Sequence, residues 1–253
     1  MRSPSLWIHM NVIAFIPARY ASSRFPGKPL ALIAGKPMIQ HTYERAQSCS
    51  ELSDVYVATD DDRIADCVHL FGGKALMTAA SHCSGTDRIA EAALQVGLAD
   101  EDLVVNIQGD QPSFQPSVIT DMVRPLMEDV TIPMSTLKYR MGDPKDIHNP
   151  NHVKVVTDKN GFALYFSRCP IPFCRDGHTE GVHFKHLGFY CFRMAFLIQF
   201  TALEEGVLES LEKLEQLRAL EYGYPIKVVE TPSDSVEVDV PGDVAVIEEI
   251  LSR

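Results

Sequence analysis

Arg19, Arg24 and Lys28 stand close together near the start of the chain, in the stretch Ile16-Pro-Ala-Arg-Tyr-Ala-Ser-Ser-Arg-Phe-Pro-Gly-Lys-Pro-Leu30. No Asp or Glu precedes Glu44, although the whole chain carries a formal net charge of -11. An acidic protein that clears one segment of acids and loads it with fixed cations presents a site for an anion. Arg supplies a rigid fork of donors and Lys a point charge, and both suit the oxygens of a polyphosphate. The commoner phosphate motifs do not fit. Gly27-Lys28 is followed by Pro29, position 22 is Ser where a Walker A loop has its first Gly, and no Gly-x-Gly-x-x-Gly follows the strand. A P-loop NTPase and a nicotinamide dehydrogenase both lose ground.

Two carboxylates extend this chemistry. Asp110 follows the apolar run Leu103–Ile107, and Asp239 lies in the strand-like run Val238-Asp239-Val240. Magnesium takes hard oxygen ligands and keeps several waters, so two carboxylates plus phosphate oxygens make a sensible site for it. The acid-rich run Asp60-Asp61-Asp62 reads instead as an exposed helix start, where carboxylates suit the helix dipole. Ser84-Gly85-Thr86 also precedes a helix, so it can cap that helix, grip a ligand, or do both. Cys169, Cys174, His178, His183 and His186 cluster in sequence, but their spacing is not that of a zinc knuckle.

The elements that must carry these groups alternate through the first half. Val12–Pro17 reads as a strand, Met38–Cys49 as a helix, Val55–Thr59 as a strand and Ile64–Phe71 as a helix. Ala75–Met77, a helix from Gly85 to about Val96, and strand Leu103–Ile107 follow. Such repeated βα units imply a mostly parallel sheet with helices on both faces. The loop after the first strand then lies where open α/β sheets bind ligands. In the second half, Met134–Tyr139, Val153–Thr157, Ala163–Ser167 and Leu187–Phe192 read as strands of a mixed region, with an arm projecting at about 168–186. Leu211, Leu214, Leu217 and Leu220 line one face of a helix, Ile226–Val229 returns to strand, and Asp243–Leu251 closes the chain as a helix.

The chain has 253 residues, 45% hydrophobic and 23% charged, which is ordinary globular composition. Residues 1–10 (MRSPSLWIHM) look like an expression-tag remnant and lack the apolar core of a signal peptide. The expectation is a single domain over 11–253, cytoplasmic, with its six cysteines as reduced thiols. The acidic balance argues against nucleic acid or anionic membrane as the main partner.

The Arg-rich loop, Ser84-Gly-Thr-Asp-Arg88, Gln108-Gly-Asp110, Tyr165-Phe-Ser-Arg168, Lys185-His-Leu-Gly188, Leu214-Glu-Gln-Leu-Arg218 and Val238-Asp239 occur in an order and spacing that resembles the 3-deoxy-manno-octulosonate (Kdo) cytidylyltransferases. The resemblance covers about residues 11–253. It implies a nucleotidyltransferase α/β sandwich, transfer of CMP from CTP to Kdo with release of pyrophosphate, a Mg²⁺ cofactor, a homodimer and a place in lipopolysaccharide synthesis. By the same resemblance, Ala18, Arg19, Ser22, Ser23, Arg24 and Lys28 hold the triphosphate, and Ser84, Thr86, Arg88 and Gln108 hold the rest of the nucleotide. Asp110 and Asp239 bind the metal. Arg168, His186, Tyr190, Glu215 and Gln216 face the sugar acid, with Arg168 for its carboxylate.

The chain departs from the common Kdo pattern at Gln111, at Glu237 and at Cys83, where many members have Glu, Gly and Gln. Gln-Gly-Asp-Gln-Pro112, Glu215-Gln-Leu-Arg-Ala-Leu-Glu-Tyr-Gly223 and Glu237-Val-Asp239 resemble the branch that activates 8-amino-3,8-dideoxy-manno-octulosonate (8-amino-Kdo). That branch is slightly favoured, since a carboxylate at 237 suits an ammonium on the sugar. The alternatives are an enzyme similar to the CMP-sialic acid synthetases and a non-catalytic nucleotide-binding module.

Overall fold

The computed structural model describes residues 10–21, 25–176 and 183–252. Ser22, Ser23 and Arg24 lie outside the described residues, as do His178 and most of the tag-like segment. The chain opens with β1 (Val12–Ala18), a 3₁₀ turn at Lys28–Leu30, and a small hairpin of β2 (Leu32–Ile33) and β3 (Lys36–Pro37). There follow α1 (Met38–Gln47), β4 (Asp54–Thr59), α2 (Asp62–Leu70), β5 (Ala75–Met77), α3 (Gly85–Val96), β6 (Leu103–Asn106) and α4 (Ser117–Glu128). The second half contains β7 (Met134–Arg140), a short α5 (Pro144–Ile147), β8 (Lys154–Thr157), β9 (Ala163–Ser167), β10 (Phe184–Arg193) and α6 (Met194–Thr201). It ends with α7 (Val207–Glu212), α8 (Leu217–Glu221), β11 (Ile226–Thr231) and α9 (Asp243–Leu251).

The main sheet runs β11-β7-β10-β6-β1-β4-β5, with β8 and β9 attached beside β10. β1 is parallel to β4 and β6, β4 to β5, and β11 to β7, while β10 is antiparallel to both β6 and β7. This is the mixed, mostly parallel sheet that the alternating pattern implies. β1 is buried on both faces, so its sequence is a continuous apolar run. One face packs Ile39, Tyr43, Ile64, Val68, Ile119 and Met122 from α1, α2 and α4. The other packs Ile89, Ala93, Phe196, Phe200 and Leu217 from α3, α6 and α8. Each such side chain contributes roughly 1.5–3 kcal/mol when fully buried. The result is a three-layer α/β sandwich.

Four features correct the sequence reading. The Leu-lined helix is two helices, broken where Lys213 turns left-handed (φ 53) and caps α7. Leu211 is exposed, and Leu214–Gln216 form a turn. Helix α4 is not apparent from the sequence because Pro125 sits inside it. Val238-Asp239-Val240 is loop, not strand. Residues 168–176 form no regular element, but β10 begins at Phe184 and takes back the end of the expected arm, whose residues 177–182 lie outside the described residues.

Candidate active site

The loops after β1 and β6 and the start of α3 meet at the carboxyl ends of the central parallel strands. They enclose a cleft of about 330 Å³, lined by Pro17, Ala18, Arg19, Lys28, Ser84, Gly85, Arg88, Gln108 and Asp110 among others. Local sequence explains the close approach. A Cβ on Gly109 would stand 3.2 Å from the Pro17 carbonyl oxygen, so a larger residue would push the two loops apart. Gly27 takes a left-handed φ of 72 and turns the chain into the 3₁₀ turn that presents Lys28.

Arg19 is exposed on the cleft wall. Ser84 is the N-cap of α3, its Oγ accepting from the Asp87 amide at 3.0 Å. The capping role is therefore present, and the same turn still faces the cleft. Arg88 is buried; it donates from Nη1 to Thr78 Oγ1 at 2.6 Å and pairs through Nη2 with Asp60 at 3.3 Å. Asp60 thus leaves the acidic run to hold Arg88, while Asp61 caps α2 as expected of a helix start.

At the other end of the cleft, Lys28 Nζ donates to Asp110 Oδ2 at 2.6 Å and to the Val238 carbonyl at 2.9 Å. The Val238 amide donates to the Asp110 carbonyl at 2.9 Å. These bonds bring Asp239, from the far end of the chain, beside Asp110. The loop is fixed from behind by Asp243, whose Oδ2 accepts from the amides of Asp239 and Val240 at 2.7 and 2.9 Å. Among the described residues, no group of three or more His, Cys, Asp or Glu is arranged to hold a metal ion by itself.

Glu237 and Gln111, two of the departures from the Kdo pattern, touch one another. Gln111 Nε2 donates to Glu237 Oε1 at 3.0 Å. Glu237 retains solvent access but is crowded by protein. Its carboxyl is pushed up to about 7 by desolvation and then by the Asp110 charge, against the pull of Lys185.

Most of the remaining residues expected on the sugar side collect on the α3–α6–α8 face. A bulge in β10 between Leu187 and Tyr190 sets the strand's side chains, and the rings of His186 and Tyr190 lie 5.5 Å apart. Thr136 Oγ1 lies 2.8 Å from His186 Nε2 and 2.7 Å from the Phe189 carbonyl. A carbonyl only accepts, so the hydroxyl proton goes there and Nε2–H donates to Thr136, which leaves Nδ1 as the acceptor of the neutral ring. Burial lowers the His186 pKa to about 3 and raises that of Tyr190 well above its ordinary value.

Glu215, at the helix break, turns inward and accepts a hydrogen bond from Thr86 Oγ1. Its pKa is raised by desolvation. The turn thus ties Glu215 to the start of α3, a contact hidden while Glu215 is read as one residue of a continuous helix. Gln216 is buried beside it. Arg168 is not brought into this group. Its guanidinium donates to the carbonyls of Glu212, Pro150 and Lys213 at 2.7, 2.9 and 3.3 Å, which ties the base of the 168–176 segment to α7.

Comparison with known proteins agrees with this arrangement. A family model described as "Cytidylyltransferase" matches residues 13–230. The chain is 58% identical over 241 residues to a 3-deoxy-manno-octulosonate cytidylyltransferase of Syntrophus aciditrophicus, covering 95% of this chain and 97% of the relative. It is 56% identical to an 8-amino-3,8-dideoxy-manno-octulosonate cytidylyltransferase of Shewanella halifaxensis, covering 94% and 98%. A solved CMP:2-keto-3-deoxy-manno-octonic acid synthetase complexed with CTP superposes with a TM-score of 0.90 at 40% identity, covering 96% of this chain and 98% of that one. A 4-diphosphocytidyl-2C-methyl-D-erythritol synthase shares the fold, with a TM-score of 0.66 at 12% identity.

Proposed function

The chain belongs to the cytidylyltransferase family, and from that premise we propose how its residues divide the reaction. It transfers CMP from CTP to a Kdo-type sugar acid for lipopolysaccharide synthesis. The sugar's anomeric oxygen bonds to the α-phosphorus, the bond from that phosphorus to the β-phosphate bridge oxygen breaks, and pyrophosphate leaves. Such transfer is largely positioning and electrostatics. Arg19 and Lys28 hold phosphate charge at one end of the cleft. The α3 start with Ser84 and Thr86, together with Gln108 and Arg88, shapes the nucleoside end. His186, Tyr190, Glu215 and Gln216 seat the sugar acid. The observation that carries this reading is the meeting of Lys28, Asp110 and the Val238–Asp239 loop at one cleft end.

Asp110 and Asp239 fit a magnesium ion. Both are hard oxygen donors, and a cationic group already rests between Asp110 and the 238 carbonyl. The ion, when bound, neutralises charge that develops on the phosphates. Arg168, which braces the α7–α8 turn through backbone carbonyls, is the cation proposed for the sugar carboxylate.

The preferred sugar is 8-amino-Kdo. The hydrogen bond between Gln111 and Glu237 supports this, since it ties the added carboxylate, which stays solvent-accessible, to the residue that follows Asp110. A homodimer in the cytoplasm completes the proposal. The exposed Phe173 on the 168–176 segment supplies an apolar contact, and free cysteines suit a reducing compartment. No described helix is long and apolar enough to cross a membrane.

One assay tests the core of the proposal: pyrophosphate release from CTP and Mg²⁺ with Kdo or 8-amino-Kdo. Release with either sugar acid supports it, with the higher kcat/KM expected for 8-amino-Kdo. Equal or reversed preference discards the 8-amino reading alone, and no release with either sugar discards the enzyme.

A further inference from the structure

Asn106 ends β6 and is 1% exposed, yet neither Oδ1 nor Nδ2 of its carboxamide has a hydrogen-bond partner among the described residues. An amide unmet at both ends weakens the fold, and Asn is a poor strand residue besides. Such a residue at the end of a central strand calls for a compensating role.

Its surroundings indicate which role. The alternation of β6 puts Asn106 on the same face as Val104, under α3 and α6. Its cross-strand partner in β10 is Tyr190, and its partner in β1 is Phe15. The turn that covers this face holds two more unmet atoms, Gln216 Nε2 and Glu215 Oε1. The unmet set therefore contains both donors and acceptors. A phosphate group only accepts and an ammonium only donates. A hydroxyl does both, so a polyhydroxylated ligand is the chemistry that satisfies the set.

We propose that Asn106 is a sugar-binding residue, its carboxamide holding hydroxyl groups of the sugar acid beside Tyr190. The inference rests on the cytidylyltransferase reading of the site. It separates the roles within one strand and its loop: Asn106 serves the sugar, whereas Gln108 and Asp110 serve the nucleotide and its phosphates.

The test is Asn106→Leu, which keeps the branched shape with somewhat larger ends and removes both polar groups, with Asn106→Ala as a second variant in case the larger side chain does not fit. At saturating CTP the sugar KM should rise roughly 10- to 100-fold, the loss of two hydrogen bonds. The affinity for CTP alone, measured by calorimetry, should stay within about twofold, and Tm should hold or rise because no unmet amide remains. A sugar KM within about twofold of the unmodified protein in a folded variant overturns the inference; with a lowered Tm it marks the amide as structural, satisfied by internal water. Loss of CTP affinity equal to the loss for sugar also overturns it. If the unmodified protein turns over neither Kdo nor 8-amino-Kdo, the reading of the site falls and this inference with it; if it does and the variants keep their sugar KM, Asn106 alone is rejected.

Discussion

The two halves of the site are built on opposite plans. The half proposed for the nucleotide is an open cleft in which Lys28 rests on Asp110, and Arg88 on Thr78 and Asp60. The half proposed for the sugar is largely closed, and several of its polar atoms, on Asn106, Glu215 and Gln216, have no hydrogen-bond partner among the described residues. In the open half opposite charges are paired and water has access, so its residues can be charged without unfolding the chain. The closed half keeps mostly neutral groups, because an unmet charge there would cost far more than an unmet amide. On the proposed division, charge lies where the ligand is a polyanion, and neutral polar groups lie where it is a sugar.

The sharpest way to break this contrast is to remove charge from the open half. Asp110→Asn and Asp239→Asn should each lower turnover on the order of 10²–10⁴ with Tm nearly unchanged, since several kcal/mol of barrier stabilisation go with a metal ligand. Near-normal rates at saturating Mg²⁺ in either variant would remove that residue from the metal site. Lys28→Ala and Arg19→Ala should weaken CTP binding roughly 10- to 100-fold, as expected for charge-assisted hydrogen bonds, again with little change in stability. Calorimetry showing unchanged CTP affinity together with unchanged turnover would send the search for the triphosphate loop elsewhere.

Glu237 is where the two plans touch, and it sharpens the comparison. A partly desolvated pair between its carboxylate and an ammonium supports about 5- to 150-fold preference for 8-amino-Kdo over Kdo. Glu237→Gly should narrow that ratio. A ratio left intact by the substitution would keep the preference and clear this residue of responsibility.

The smallest effect concerns stability in the closed half. His186 is neutral when folded, its pKa held at about 3 by burial, against 6.5 in the unfolded chain. Below pH 6.5 the unfolded chain binds the extra proton, so stability should fall as pH drops from about 6.5 toward 3. At pH 5 the loss from this group is about 2 kcal/mol. Chemical denaturation at pH 7 and 5 should show that much more sensitivity in the unmodified chain than in His186→Gln, and equal pH dependence would mean that His186 carries no proton-linked stability.

This contrast also decides what the sequence reveals. The open half comes from contiguous stretches, Ser84–Asp87 and Gln108–Asp110, whose helix cap and strand end are local and therefore legible. The sandwich follows from the βα alternation for the same reason. The closed half is not local. Glu215 lies on a helix only if the break at Lys213 goes unseen, and that break is set by Arg218 and Glu221 bonding back to α7, with Arg218 Nε on Glu209 at 2.7 Å and the Leu208 amide on Glu221 at 2.9 Å. Asn106 gives no signal in a run of Val and Ile except that it is polar. Arg168 is legible as a cation, but its three backbone carbonyl partners come from two separate segments. Only the folded chain assembles these.

The stitch between Val238 and Asp110 has a consequence in time as well as space. Val238 packs with Ile33, Met38 and Ile247, and Glu248 of α9 accepts from the Ala34 amide at 2.8 Å. The loop that carries Asp239 is therefore held by contacts between segments far apart in sequence. During synthesis the Arg-rich loop and Asp110 emerge long before Asp239 and the helix that anchors it. A nascent chain can form the loops after β1 and β6 but cannot bring Asp239 beside Asp110 until α9 has emerged to hold it, so that end of the cleft closes later than the rest.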